Sequence, residues 1–261
     1  MKTSEITTHD KKILRLSELC KRLKMRAAYE RFCAILTDPD ACQMPLLDCV
    51  IEGLEYEVEK RDSNALNRRL KEAKICLPNA RPDTIDFSIE RGLDRNQAEA
   101  LLTMQWMERH QNIIITGAAG CGKTFLACAL TNQACMKGKT ARVVRIPLLL
   151  NQMSASHQIV ETYFKKLKEY KNVDLLVLDD WGIGQLDARS REDLLEIINE
   201  RYMYASTIVT SVLPVSKWAE YINDPTYSDA ILDRLVSVSH RIEMYGASVR
   251  QMEQYGGVQK S

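Results

Sequence analysis

Residues 117–124 read Gly-Ala-Ala-Gly-Cys-Gly-Lys-Thr, a full match to G-x-x-x-x-G-K-[ST]. The match follows the β-type run 112–116 (NIIIT) directly and precedes the helical run FLACALTNQA. Gly117, Gly120 and Gly122 let the backbone take conformations closed to residues with a Cβ, so that successive N–H groups converge on phosphates at a helix N-terminus. Lys123 is then placed to reach the β- and γ-phosphates, and the Thr124 hydroxyl to ligate Mg²⁺. The chemistry implied is capture of Mg·ATP, with Gly117, Ala118, Ala119, Gly120, Cys121, Gly122, Lys123, Thr124 and Phe125 as the contacts. A glycine-rich turn made for backbone reasons alone would need neither the lysine nor the hydroxyl. Cys121 has two readings: a redox switch on nucleotide binding, since a helix N-terminus favours a thiolate, or a small neutral filler.

A second chemical feature lies 56 residues after Lys123 (179 − 123), where the apolar run 175–178 (LLVL) is followed by Asp179-Asp180. Asp179 is placed to hold Mg²⁺ through water, and Asp180 to polarise the attacking water. Aspartate stops about one methylene short of a glutamate at such a position, which predicts slow turnover without a partner. A strand-end pair capping the turn before Trp181-Gly182 is the alternative, credible for Asp180 and poor for Asp179.

These groups need a scaffold. Short β-type runs at 112–116, 141–146, 173–179, 206–211 and 240–245 alternate with helical stretches, the pattern of a parallel sheet covered on both faces. Upstream, residues 10–76 read as helices. Ile13, Leu16, Leu19 and Leu23 form one stripe, Tyr29, Phe32 and Leu36 a second, and Leu47, Val50, Ile51, Leu54 and Val58 a third that begins near Pro45. Three such helices can share a small core. The pattern lapses around Pro78, Pro82 and Gly92. The expected organisation is therefore a helical N-terminal domain (1–76), a linker (77–95), an α/β domain (96–250) and a flexible tail (251–261).

Composition narrows the class. Lys plus Arg (36) nearly balance Asp plus Glu (35), so no global positive field marks a nucleic-acid binder. The eight cysteines are scattered with no C-x-x-C pair, which reads as reduced thiols of a cytoplasmic protein. The four histidines lack zinc spacing, so no structural metal is expected. Neither a signal peptide nor an apolar run of about 18 residues is present, which excludes a membrane span.

With the phosphate loop, LLVLDDWG, TS-x-LP and ILDRLV…HRIE…VR in this order, the sequence resembles the IstB-like transposition helper ATPases and, more distantly, DnaC-type helicase loaders. The likeness covers nearly the whole chain. It implies a P-loop NTPase of the AAA+ class: a five-stranded parallel sheet in order 5-1-4-3-2 behind a small all-helical N-terminal domain. It also implies ATP-dependent homo-oligomerisation on double-stranded DNA, where a cognate transposase is helped to engage its target. On this resemblance Thr210 and Ser211 fall where a sensor would watch the γ-phosphate. The family carries Asn or Gln at the next position, where Val212 cannot donate a hydrogen bond, so Thr210 or Ser211 would deputise. Arg234 matches an arginine finger for a neighbour's ATP and Arg250 a sensor arginine, ordinary surface ion pairs being the alternative for each.

Two basic clusters are candidates for DNA. The first 31 residues hold nine Lys/Arg against four acids, among them Lys21, Arg22, Lys24 and Arg26. The second cluster is Lys165, Lys166, Lys168 and Lys171, with Glu169 among them. Cations along a face supply sequence-independent phosphate affinity, although most such runs are solvated helix faces. The absence of interleaved aromatic residues favours duplex over single strands. Two further functions share the phosphate loop. A helicase loader would grip a helicase through its N-terminal domain, and a small-molecule kinase would need an acceptor pocket and a lid, which residues 125–172 do not supply.

Overall fold

A computed structural model describes residues 8–38, 44–88 and 90–246. Two compact units divide between Arg68 and Arg69. The division falls inside a helix and not at residue 76, because that helix runs unbroken from Leu46 to Ala73.

The first unit holds α1 (Thr8–Arg22), α2 (Arg26–Thr37) and most of α3 (Leu46–Ala73). The sequence suggests that Leu47, Val50, Ile51, Leu54 and Val58 of α3 face a shared core, yet all five are exposed. The helix presents Gly53 and Glu57 inward instead. A Cβ on Gly53 would lie 2.0 Å from the Phe32 ring, so the missing side chain is what lets α2 approach. Glu57 is 7 % exposed and accepts the Ala28 N–H at 3.0 Å and Arg61 Nε at 2.7 Å. It caps the open N-terminus of α2 from the neighbouring helix, and a polar anchor of this kind leaves no hydrophobic periodicity to read.

The second unit begins with the last turn of α3. Residues 77–95, expected as a linker, contribute buried Ala80, Ile85 and Arg91 to it. The elements that follow are α4 (Arg95–Leu102), α5 (Gln105–Glu108), β1 (Asn112–Gly117), α6 (Lys123–Met136), β2 (Ala141–Arg145), α7 (Ile146–Ser156), α8 (Val160–Lys171), β3 (Leu175–Trp181), α9 (Ala188–Arg201), β4 (Ser206–Ser211), α10 (Trp218–Ile222), α11 (Pro225–Val236) and β5 (Ser239–Met244). All five strands pair parallel in the order β2-β3-β4-β1-β5. Read from the other edge this is 5-1-4-3-2, as the family resemblance implies.

Successive strand residues point to opposite faces, and both faces are dry. Ile114, Val144, Leu176, Leu178 and Val209 join a core cluster with side chains of α7 to α11, while Ile113, Ile115, Val177 and Ile208, which alternate with them, are also buried. Helix α6 packs against β1 to β4. Ten of its fourteen residues are buried, and Ala127, Ala129, Ala134, Cys128 and Cys135 keep its girth small enough to lie close to the strands. At the strands' N-terminal ends the buried Arg201 guanidinium donates to Tyr170 O at 2.7 Å, Val173 O at 2.8 Å, Lys171 O at 3.3 Å, Ser206 O at 2.5 Å and Thr207 Oγ1 at 3.2 Å. One side chain thereby joins the end of α8, the entry to β3, and β4.

Candidate functional site

The C-terminal ends of β1, β3 and β4 bring the predicted chemical groups together. Gly117 ends β1 with φ at 143°, and a Cβ there would fall 1.8 Å from Met244 O, so glycine is required by the close approach of β5. Gly122, with φ at 99°, opens α6 in the left-handed region. Between them the loop wraps Lys123, which is 8 % exposed and donates through Nζ to Gly117 O at 2.8 Å and Ala118 O at 2.7 Å. The ammonium is thus folded back on to carbonyls of its own loop. Cys121 is fully buried and its thiol donates to Ala118 O at 3.0 Å, so it packs the loop from within.

Beneath the loop, Asp179 is 4 % exposed and its Oδ1 accepts from Thr124 Oγ1 at 2.9 Å and from Thr210 Oγ1. The residues singled out to hold Mg²⁺ therefore touch. A carboxylate and a hydroxyl presented side by side are hard oxygen donors that suit Mg²⁺, which keeps most of its water and takes few protein ligands. Thr210 also accepts the Asp180 N–H at 3.3 Å. Ser211 turns elsewhere: it donates to Trp181 O at 2.8 Å and accepts the Leu213 N–H at 3.0 Å, fastening β4 to the end of β3. Of the two hydroxyls expected near the γ-phosphate, only Thr210 joins the carboxylate cluster. Val212 is 42 % exposed.

Asp180 owes its orientation to an irregularity. The β3–β4 register shifts between Leu178 and Trp181, and Asp180 takes φ of 61°, uncommon for a residue with a side chain. Its Oδ2 accepts Arg145 Nε at 2.5 Å, and this partner holds the Arg145 guanidinium above its ordinary range. Arg145 was not among the residues singled out from sequence. The only signal was a cation closing the run ARVVR, and its meaning depends on β2 lying beside β3. Arg91 was missed as well. It is 6 % exposed, donates to Asp86 O at 2.8 Å, and would have its Nη1 only 2.9 Å from a Cβ on Gly122. No motif surrounds it.

Residues 15–256 match the family model described as IstB-like ATP binding protein. The chain belongs to that family. A relative from Sinorhizobium fredii, named as an insertion sequence ATP-binding protein, is 42 % identical over 198 residues, covering 76 % of this chain and 80 % of its own. The corresponding protein of insertion sequence IS21 from Pseudomonas aeruginosa is 29 % identical over 241 residues, 91 % of this chain and 89 % of its own. Among solved structures, the DnaC helicase loader superposes with a TM-score of 0.51 at 22 % identity, covering 64 % of this chain and 97 % of that one. AMPPCP-bound DnaA from Aquifex aeolicus gives 0.53 at 22 % identity, over 69 % and 56 %. These two likenesses establish the fold of this IstB-like chain, a five-stranded parallel α/β unit built around a phosphate loop.

Arg234 stands apart from the phosphate loop. It lies at the C-terminal end of α11, where its carbonyl accepts Asn112 Nδ2 at 3.1 Å. Asn112 starts β1 and Gly117 ends it, so roughly 17 Å of strand at ~3.3 Å per residue separates them. The guanidinium donates to Ala230 O at 2.7 Å and lies 5.7 Å from the Tyr202 ring centroid, in the wall of a cavity of about 160 Å³. Arg250 lies outside the described residues, as do the tail 251–261 and Lys2.

Of the basic residues, Lys21 and Arg22 are exposed in the last turn of α1, Lys24 is exposed just beyond it, and Arg26 pairs with Glu30 at 2.9 Å. On α8, Lys165 and Lys168 are exposed, whereas Lys166 pairs with Glu169 at 3.0 Å and Lys171 pairs with Glu200. Among the described residues no helix is long and apolar enough to cross a membrane.

Proposed function

We propose that this chain binds and hydrolyses Mg·ATP, that its nucleotide-bound copies assemble on duplex DNA, and that the assembly assists a transposase at its target. The observation carrying the nucleotide reading is the contact of Thr124 with Asp179 beneath a loop that already encloses the Lys123 ammonium. In this reading Lys123 leaves the two carbonyls for the β- and γ-phosphates, while the loop N–H groups take the remaining phosphate oxygens. Thr124 and Asp179 would hold Mg²⁺, which would supply neutralisation of phosphate charge. Asp180 accepts the proton of the attacking water once its carboxylate is released from Arg145, and Thr210 holds Asp179 in place.

The placement of Arg234 at the far end of β1 supports hydrolysis completed by a second copy. There it is out of reach of its own phosphate loop and offered to another subunit's. A guanidinium supplied in trans stabilises charge on the transferring phosphoryl group. Support for the insertion-element setting comes from the family and from relatives named for insertion sequences. Exposed Lys21, Arg22, Lys24, Lys165 and Lys168 are the candidate phosphate contacts on DNA, with Arg26 and Lys166 available on exchange of their acidic partners.

Calorimetry and ATPase assays with duplex DNA test the reading. Lys123→Ala is expected to lose Mg·ATP binding, by at least roughly tenfold, because each charged hydrogen bond contributes ~1.5–3 kcal/mol. Arg234→Ala is expected to bind ATP normally and lose DNA-stimulated hydrolysis. Parental turnover by Arg234→Ala would refute the role given to that residue. Electron microscopy with duplex DNA should show rings or filaments with ATP and not with ADP. Capture of a replicative helicase in place of a transposase would instead favour a loader.

A further inference from the structure

Among the described residues, Cys76 and Cys128 are the thiols in hydrogen-bond contact with one another, with Sγ atoms 3.5 Å apart. They are 52 positions apart in sequence and have nothing in common as a motif. Cys128 lies one turn beyond Thr124 on α6 and is fully buried, whereas Cys76, three residues past the end of α3, is exposed. One sulfur is therefore reachable by a small molecule and the other is held directly behind it.

We propose that Cys76 and Cys128 are a thiol–disulfide pair that closes under mild oxidation and tethers the chain beyond α3 to the helix of the phosphate loop.

The local electrostatics favour Cys76 as the thiol that reacts first. The hydrogen bond from Cys128 holds the Cys76 thiol down to about 7, against burial and the nearby Asp179 and Asp180, which push it up. Cys128 moves the other way, driven up first by its bond to Cys76 and then by burial. The Cys76 thiolate attacks one sulfur of a small-molecule disulfide such as oxidised glutathione; that S–S bond breaks, and the expelled thiolate takes a proton from water. Conversion of Cys76 to the mixed disulfide removes the largest influence raising Cys128. Cys128 then gives up its proton to water, and its sulfur attacks Cys76 Sγ and expels the second small thiolate, which is protonated in turn. The protein loses two electrons and two protons, and one small disulfide becomes two thiols.

Closure has a local cost. A disulfide needs its sulfurs at about 2.05 Å, so the pair must draw together by ~1.5 Å. The first turn of α6 carries Lys123 and Thr124, and phosphate cradles tolerate displacements of only ~0.5 Å. Closure is therefore expected to weaken Mg·ATP binding severalfold. That second consequence rests on the nucleotide reading above, whereas formation of the disulfide does not.

The full chain is equilibrated in oxidised and reduced glutathione, alkylated, and measured by intact mass and peptide mapping. The expected result is loss of two hydrogens and a peptide pair linked through Cys76 and Cys128, abolished in Cys76→Ser and in Cys128→Ala but retained in Cys121→Ser. Cys76→Ser changes an exposed position, which keeps the test open should Cys128→Ala fold poorly. Thiols that stay free, a Cys76 that stops at the mixed disulfide, or a link to any other cysteine would overturn the pairing. Calorimetry with Mg·ATP on the reduced protein is the control for the second consequence. If the reduced protein binds and the closed form binds equally well, the coupling is refuted; if the reduced protein does not bind, it is the nucleotide reading that fails.

Discussion

Asp180 shows how much of this site depends on one residue's backbone. With φ at 61° in a break of the β3–β4 register, it leaves the strand's alternation and meets Arg145 of β2, while Asp179 stays with Thr124 and Thr210. Two adjacent carboxylates thereby gain different partners, as the proposed division between metal ligand and base requires. Asp180→Asn keeps the shape and removes the basicity. It is expected to bind Mg·ATP like the parent and to hydrolyse it ~10²–10⁴-fold more slowly, the usual worth of a general base, as read by phosphate release in single-turnover assays. The spacing from Gly117 to Thr124 and the Asp pair were readable because a phosphate site is written in adjacent residues. Arg145, Arg91 and the Cys76–Cys128 contact were not, since each is created by neighbours in space whose separation in sequence follows no rule.

Helix ends carry the next layer of information. Asp224 accepts the Tyr227 N–H at 3.1 Å and caps α11, whose opposite end bears Arg234. Asp224→Ala is expected to lower stability by about 1 kcal/mol, measurable by urea unfolding, and to loosen the helix that sets the position of Arg234. Asp187 caps α9 in the same manner, accepting the Ser190 N–H at 2.7 Å, and the Ser190 side chain and N–H hold its carboxyl below the usual range. A depressed carboxylate stabilises the fold above its unfolded value, near pH ~3.9, and the benefit disappears as pH falls through the folded value. The thermal midpoint of Asp187→Asn should therefore lie below the parent's at neutral pH and converge with it in more acid solution. Helix α3 marks the limit of periodicity. Its apolar stripe is real in sequence, but the close approach of Phe32 to Gly53 and the capping by Glu57 select another face.

At the scale of the whole chain, the strand order was accessible through family likeness and not through composition, because alternating strands and helices permit several orders of a parallel sheet. The division inside α3 was hidden for a related reason: an uninterrupted helix carries no mark of the point at which its surroundings change. What the sheet order achieves is separation. The phosphate loop stands at one end of β1 and Arg234 at the other, so the two halves of the proposed contact between copies lie on different surfaces. On the function proposed above, assembly would run head to tail, propagating as a ring or a helix and not stopping at a twofold pair. Sedimentation with Mg·ATP should accordingly show species that grow with concentration beyond dimers, and a limit at two copies would contradict the arrangement.

The Arg201 guanidinium has a consequence of its own. All five acceptors around it are neutral oxygens, drawn from the end of α8, the approach to β3 and the first residues of β4. A planar five-donor fork is matched there to a ring of dipoles, and an ammonium could satisfy only part of that ring. Saturation mutagenesis at this codon, sorted for soluble folded protein, should return arginine almost alone, with lysine rejected alongside methionine.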